Sequence, residues 1–308
     1  MASGGGLNKA HALTDSLATD PQSAAESRAA AQQAARGGAE GRCAQSLLHG
    51  ISDIDWSAPW LTGWRAVGEP IAQSILAGTP QPQALSAAGL APVQFVPQSD
   101  LPDGQAYEDF IFATGQVPTR EGLHDFFNAL CWMHFPLSKK RLNQLQAQEI
   151  ARAGVGQVRG PVRDAATVLD ENALLIQASD ALWAALTQHH WRSAFVDLRG
   201  EWAATRLWTF GHAALEKAVQ PYKSITVHLW RVPQTVAPAG IDAWLAQDLS
   251  PEKLAQKPFS PLPLLGVPGW WPANEEAAFY DDHSVFRPRR KPLAPEKPYA
   301  NQEIERRA

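Results

Sequence analysis

The stretch from Glu121 to Phe135 constrains this chain more than any other. Leu123, Phe126, Phe127, Leu130 and Met133 recur at helical spacing and form one apolar face. Cys131, Trp132 and Phe135 carry apolar surface round the other side. A helix that is apolar nearly all round belongs inside a protein. His124, Asp125 and Asn128 share that helix, so three hydrophilic groups are expected in the interior or on the wall of a pocket. Burying such groups without partners is costly, which makes them the first place to look for function. Pro136 ends the helix. Ser138 is placed to cap the next one, which runs from Lys139 to about Ala153.

Around this centre the pattern alternates between helices and short strands. Leu61, Trp64, Val67, Ile71, Ile75 and Leu76 predict a helix within Trp60 to Leu76, closed by Gly78 and Pro80. Val93 to Val96 reads as a strand, and Tyr107 to Phe112 follows the turn signal Pro102-Asp103-Gly104. Arg163 to Ser179 reads as a β-hairpin, with Ala166, Val168, Leu174 and Ile176 flanking a turn at Asp170-Glu171-Asn172. Helices are expected at Asp180 to His189, Trp191 to Trp202, Gly211 to Val219 and Ile241 to Leu249, and strands at Leu207 to Phe210 and Ile225 to Val232. Residues 258–272 are neither helical nor alternating and should wrap the body, with Trp270 and Trp271 as anchors. The fold class is therefore α+β: a single mixed globular domain over residues 46–287, with helices packed on a small, mostly antiparallel sheet. Residues 1–45, rich in Ala, Ser and Gln, and residues 288–308, rich in Pro and charge, are expected to be disordered tails.

Composition narrows the function classes. A net charge of −4 argues against a nucleic-acid binder, although Lys139 to Arg141 and Arg287 to Lys291 are basic. Two cysteines, Cys43 and Cys131, cannot build a disulfide framework or a four-cysteine zinc site. No window of membrane-spanning length is apolar, and residues 1–27 hold no apolar stretch of signal-peptide length. A soluble, cytoplasmic protein is the expectation. Twelve tryptophans point to a rigid aromatic core.

Five strings occur in order along the chain: His124-Asp125-Phe126-Phe127-Asn128-Ala129-Leu130, Arg159-Gly160-Pro161-Val162-Arg163-Asp164-Ala165, Leu169-Asp170-Glu171-Asn172, Phe210-Gly211-His212-Ala213-Ala214-Leu215-Glu216-Lys217, and the segment from Leu264 to Asn274. Together, over roughly residues 53–290, they resemble the bacterial family known as domain of unknown function 3025. Ala173 departs from the Asn-Gly often seen after the third string. The resemblance implies a bacterial source and brings no activity, cofactor or catalytic residue, so the site has to be argued from chemistry.

His124 and Asn128, four residues apart, share a helix face, and Asp125 lies beside them. A histidine next to a carboxylate can serve as a base or a metal ligand. The alternative is a core histidine bonded to a backbone carbonyl. His212 and Glu216 form a second pair four apart, and His228 on the following strand could complete a metal site with His212. Arg159 and Arg163, with Asp164, flank Gly160-Pro161 and could grip a carboxylate or phosphate, or else pair internally with Asp164 or Asp170. Lys139, Lys140 and Arg141, at the unfavourable end of a helix dipole, read as a solvated face, or else as cations used for an anion. Asp170 and Glu171 read as turn chemistry.

The expectation is an enzyme or small-ligand protein with a buried pocket of His124, Asp125, Asn128, His212 and Glu216. Arg159, Arg163 and Asp164 would hold a small anionic molecule. The rival is a binding or scaffold protein using residues 258–274. The sequence names no metal, cofactor or oligomeric state.

Overall fold

The structure is a computed structural model that describes residues 50–153 and 160–289. The expected tail at 1–45, nearly all of that at 288–308, and Arg159 lie outside the described residues.

The first half of the chain is mainly helical. α1 (Arg65–Leu76) and α2 (Gln81–Ala87) lead to β1 (Gln94–Pro97). α3 (Tyr107–Thr114) then crosses over to β2 (Gln116–Thr119), which pairs parallel with β1. A parallel pair needs such a crossover, because a tight hairpin can join only antiparallel strands. Gly115 makes the turn between α3 and β2 at φ 68°, a left-handed conformation that glycine adopts without strain.

α4 (Leu123–His134) is the helix expected from the pattern, and Phe126, Phe127, Leu130 and Cys131 are fully buried. Its start is built from outside the helix. Gly122 sits at φ 131° and has no side chain to cap with. Gln81 instead accepts from the Gly122 N–H and donates to the carbonyls of Arg120 and Gly122. Pro136 opens α5 (Pro136–Ala153). Ser138 does not cap this helix. Its backbone N–H and that of Leu137 each donate to a carboxylate oxygen of Asp242 at 2.9 Å, which puts an anion at the positive end of the helix.

The second half contradicts one sequence expectation outright. Arg163 to Ser179 is not a hairpin. α6 (Pro161–Asn172) runs straight into β3 (Ala173–Gln177). Pro161 suits a first helical position, and Val162, Ala165, Ala166 and Leu169 bury one helical stripe. The Asp170-Glu171-Asn172 cluster is the last turn of a helix. The remaining elements are α7 (Asp180–Thr187), β4 (Arg206–Thr209), α8 (His212–Lys217), β5 (Thr226–Arg231), α9 (Ile241–Asp248), α10 (Pro251–Ala255) and β6 (Ser260–Pro263). Where a helix was expected from Trp191 to Trp202, a π-helical turn (Ser193–Asp197) is followed by a 3-10 helix (Arg199–Ala204).

The main sheet has the order β4-β3-β5-β6. β3 runs antiparallel to β4 and parallel to β5, and β6 is antiparallel to β5. All five residues of β3 are buried, as a central strand covered on both faces requires. β6 lies in the segment expected only to wrap. Pro261 and Pro263 are tolerated because β6 is an edge strand, where missing N–H groups face outward. The architecture is α+β, with helices against a small, mostly antiparallel sheet and a separate two-stranded parallel pair. One continuous apolar core links the sheet to α1, α4, α6 and α7. Among the described residues no helix is long and apolar enough to cross a membrane.

Candidate functional site

Five helices wall a cleft of about 480 Å³. α4 supplies His124, Asp125 and Asn128, α6 supplies Arg163, Asp170 and Glu171, and α8 supplies His212. Tyr107 and Glu108 come from α3 and Gln146 from α5. Most of these side chains are polar, and their arrangement follows from how the helices begin and end.

Asp125 lies in the first turn of α4. It accepts from the Arg120 backbone N–H at 2.7 Å and takes both Nε and Nη2 of the Arg120 guanidinium at 3.1 Å. The carboxylate thus ties the loop to the positive end of the helix and is fully used there. His124, one residue earlier, faces α8, and its Nδ1 lies 2.9 Å from the Glu216 carboxylate. His212 begins α8, and its Nε2 lies 3.1 Å from His124 Nε2, with the two rings edge to face. His212 Nδ1 faces Asp170 at 3.8 Å, too long for a hydrogen bond.

Beneath the histidines lies a buried cation. Lys139 is 4% exposed, and its Nζ donates to Asp170 and, at 2.8 Å, to Asn128. Asn128 in turn donates to the Tyr107 hydroxyl at 3.2 Å. On the same wall Asn143 donates to Glu108 at 2.8 Å.

The hydrogens can be assigned from these contacts. An ionised Glu216 only accepts, so His124 Nδ1 carries hydrogen. One further hydrogen must lie between the two Nε2 atoms. If it sits on His124, His212 keeps its own hydrogen on Nδ1, turned toward the Asp170 carboxylate. If it sits on His212 alone, a bare Nδ1 lone pair faces that carboxylate. The favoured arrangement has three N–H groups on two rings, which is one net positive charge held between two carboxylates.

The electrostatics agree. Its hydrogen bond to Glu216, against burial, holds His124 above the usual histidine value. Burial pushes His212 down to about 4, against the pull of Asp170. The bond to His124 holds the Glu216 carboxyl below its ordinary value. Burial works against the charge on Asp170, but Lys139 and then His212 outweigh it and hold the carboxyl down. Burial, reinforced by Asp170, moves the neighbouring Glu108 carboxyl the other way, upward. Cys131 plays no part. It donates to the Phe210 carbonyl, and burial pushes its thiol up.

The fold thus brings together His124, Asp125, Asn128, His212, Glu216 and Arg163. Asp164 points elsewhere and pairs with Lys257. His228 does not join His212: it is half-buried on β5, packs against Phe259 and does not line the cleft. Among the described residues no three His, Cys, Asp or Glu side chains are grouped so that they could hold a metal ion. The sequence reading missed Lys139, Asp170, Tyr107, Glu108 and Gln146. A signal for two of them existed: Lys139, Leu142, Asn143 and Gln146 share the helical spacing of an inward-facing stripe, and all four are buried.

A family model, described as protein of unknown function (DUF3025), matches residues 93–290, more than half of the chain. Every described side chain that lines the cleft falls inside that span. No curated protein and no solved structure matches the chain.

Proposed function

Because the chain belongs to the DUF3025 family, a membership that brings no reaction with it, we propose a function from the cleft itself: an enzyme that moves a proton to or from a small molecule held beside His124 and His212. The observation that carries this reading is the 3.1 Å contact between the two imidazoles, bracketed by Glu216 and Asp170 on the wall of an open cleft. A volume of about 480 Å³ is of the size that takes small-molecule ligands.

In this reading His124 is the proton carrier. Glu216 orients its ring and supports its charge, as a carboxylate does for a catalytic histidine. His212 receives the second N–H of His124 and, being neutral, leaves that proton free to go to substrate. Once the proton has left, the bare nitrogen takes one back from substrate or water, and the half-exposed ring gives solvent a return path. Asp170, held ionised by Lys139, fixes the His212 tautomer. Among the described residues the cleft lining contains no serine or cysteine, so the reading is acid–base chemistry without a covalent nucleophile of those kinds.

The rival scaffold reading rests on residues 258–274. Trp270 and Trp271 are half-buried there and packed against the core, and Trp270 lies 6.2 Å from Trp60. Part of their aromatic surface is therefore already committed to the body.

The test is a panel of small esters, amides, phosphoesters and hydratable alkenes, with products read by mass spectrometry, run on the wild type and on His124→Gln. The reading predicts turnover of at least one compound. It also predicts a loss of roughly 10²–10⁴-fold in kcat in the variant, at unchanged melting temperature. Turnover that His124→Gln leaves intact, or none on the panel that depends on His124, would overturn it.

A further inference from the structure

Arg163 and Gln146, on the cleft wall, have side-chain donors without partners among the described residues. Arg163, on α6, makes no ion pair among the described residues, and its Nε is buried with no hydrogen bond. Gln146, on α5, is 7% exposed and lines the cleft, and its amide has no hydrogen bond among the described residues. Other charged groups of this wall are engaged: Arg120 with Asp125, Lys139 with Asp170, His124 with Glu216. Buried polar groups are normally satisfied, so a guanidinium and a primary amide left open on one cavity are a ready set of donors.

We infer that Arg163 and Gln146 form a subsite for the carboxylate of a small organic acid. This deepens the proton-transfer reading and rests on it for the identity of the cleft as a substrate site. The end of a guanidinium presents one N–H from each Nη in a parallel fork that matches the two oxygens of a carboxylate. The Gln146 amide can donate a further N–H to either oxygen. The charge of the ligand follows from the neighbours. Glu108 and Glu171 line the same cleft, so one guanidinium faces two acidic side chains. A monoanion meets less repulsion there than a dianionic phosphate does. The subsite differs from the Arg159, Arg163 and Asp164 fork read from sequence, because Asp164 is turned away to Lys257 and Gln146 takes part.

The experiment is calorimetric titration of the full chain with propionate, benzoate and inorganic phosphate, each alone and in competition. Wild type, Arg163→Met, Arg163→Lys, Gln146→Leu and His124→Gln are compared. Saturable millimolar binding of a carboxylate is expected. Arg163→Met should weaken it at least about tenfold, and Arg163→Lys, which keeps charge but loses the fork, should weaken it less. Gln146→Leu should weaken it severalfold, and it keeps the test alive if the arginine variants do not fold. Phosphate should not displace the carboxylate. Equal affinity in wild type and Arg163→Met, no saturable carboxylate binding, or displacement by phosphate would overturn the subsite. Turnover on the compound panel and carboxylate binding are read separately in wild type and His124→Gln, so loss of His124-dependent turnover and loss of carboxylate binding are separate failures.

Discussion

At the scale of single residues, the most informative side chain is Lys139. From sequence it is a cation at the wrong end of a helix, and so a solvated one. In the fold it is almost fully buried, with Asp170 and Asn128 as acceptors and the Trp132 ring 5.5 Å away. Two facts invisible along the chain explain this. Asp242, more than a hundred residues away in sequence, puts its carboxylate on the first N–H groups of α5. Asp170, read as part of a turn, is the last-turn carboxylate of α6 and meets the ammonium inside the protein. Removing one partner of a buried ion pair leaves an uncompensated charge. Lys139→Met is therefore expected to destabilise the protein by about 3–5 kcal/mol. Adding Asp170→Asn should recover part of that loss, because the unpaired charge goes with it. Urea denaturation of the two single variants and the double checks this, and strict additivity would show that the two groups do not interact.

At the scale of elements, the site depends on one close approach. Gly211 precedes α8 and rests on the junction where α6 becomes β3. A Cβ there would come within 2.5 Å of Asn172 Cα and N and 2.6 Å of the Ala173 nitrogen, all backbone atoms that cannot turn aside. The Phe210 and Gly211 N–H groups both donate to the Ala173 carbonyl, at 3.0 and 2.9 Å, which locks the start of α8 onto that junction. Gly211→Ala is expected to cost roughly 1–3 kcal/mol through overpacking. Gly200→Ala, where nothing lies within 4 Å of the new methyl, should stay within about 0.5 kcal/mol. Thermal and urea melts of both decide the matter, and equal effects would mean that the approach is not tight. The same junction explains the largest misreading. α4 was legible because its apolar period runs unbroken through twelve residues. The α6–β3 boundary was not, because a helix passes into a strand without a loop. An alternating template laid across it picks Ala166 and Val168 from the helix and Leu174 and Ile176 from the strand. β6 was hidden by its two prolines, which an edge strand accepts.

At the scale of the whole molecule, the proposed function rests on convergence. His124 and His212 each stood out in the sequence as a histidine four residues from a possible partner. The partner chosen by the fold differs: His124 meets Glu216, and His212 meets His124 across 88 residues. Local spacing cannot show this, because α4 and α8 are brought side by side only by packing on the sheet. The outcome is a pair of imidazoles sharing one net positive charge between Glu216 and Asp170, with Arg163 and Gln146 open on the same cleft. The sign of each titration follows from its surroundings. A carboxylate partner raises His124, so its proton is kept beyond pH 6.5 and lost only as pH rises further. Burial lowers His212, so that ring stays neutral as pH falls until about 4. Histidine-selective NMR titration of the intact chain, with His124→Gln and His212→Gln to assign the signals, tests this most directly. The account predicts one ring titrating above 6.5 and the other staying neutral down to about 4, with Glu216→Gln moving the first downward. Two rings that titrate independently near 6.5, unmoved by Glu216→Gln, would contradict it.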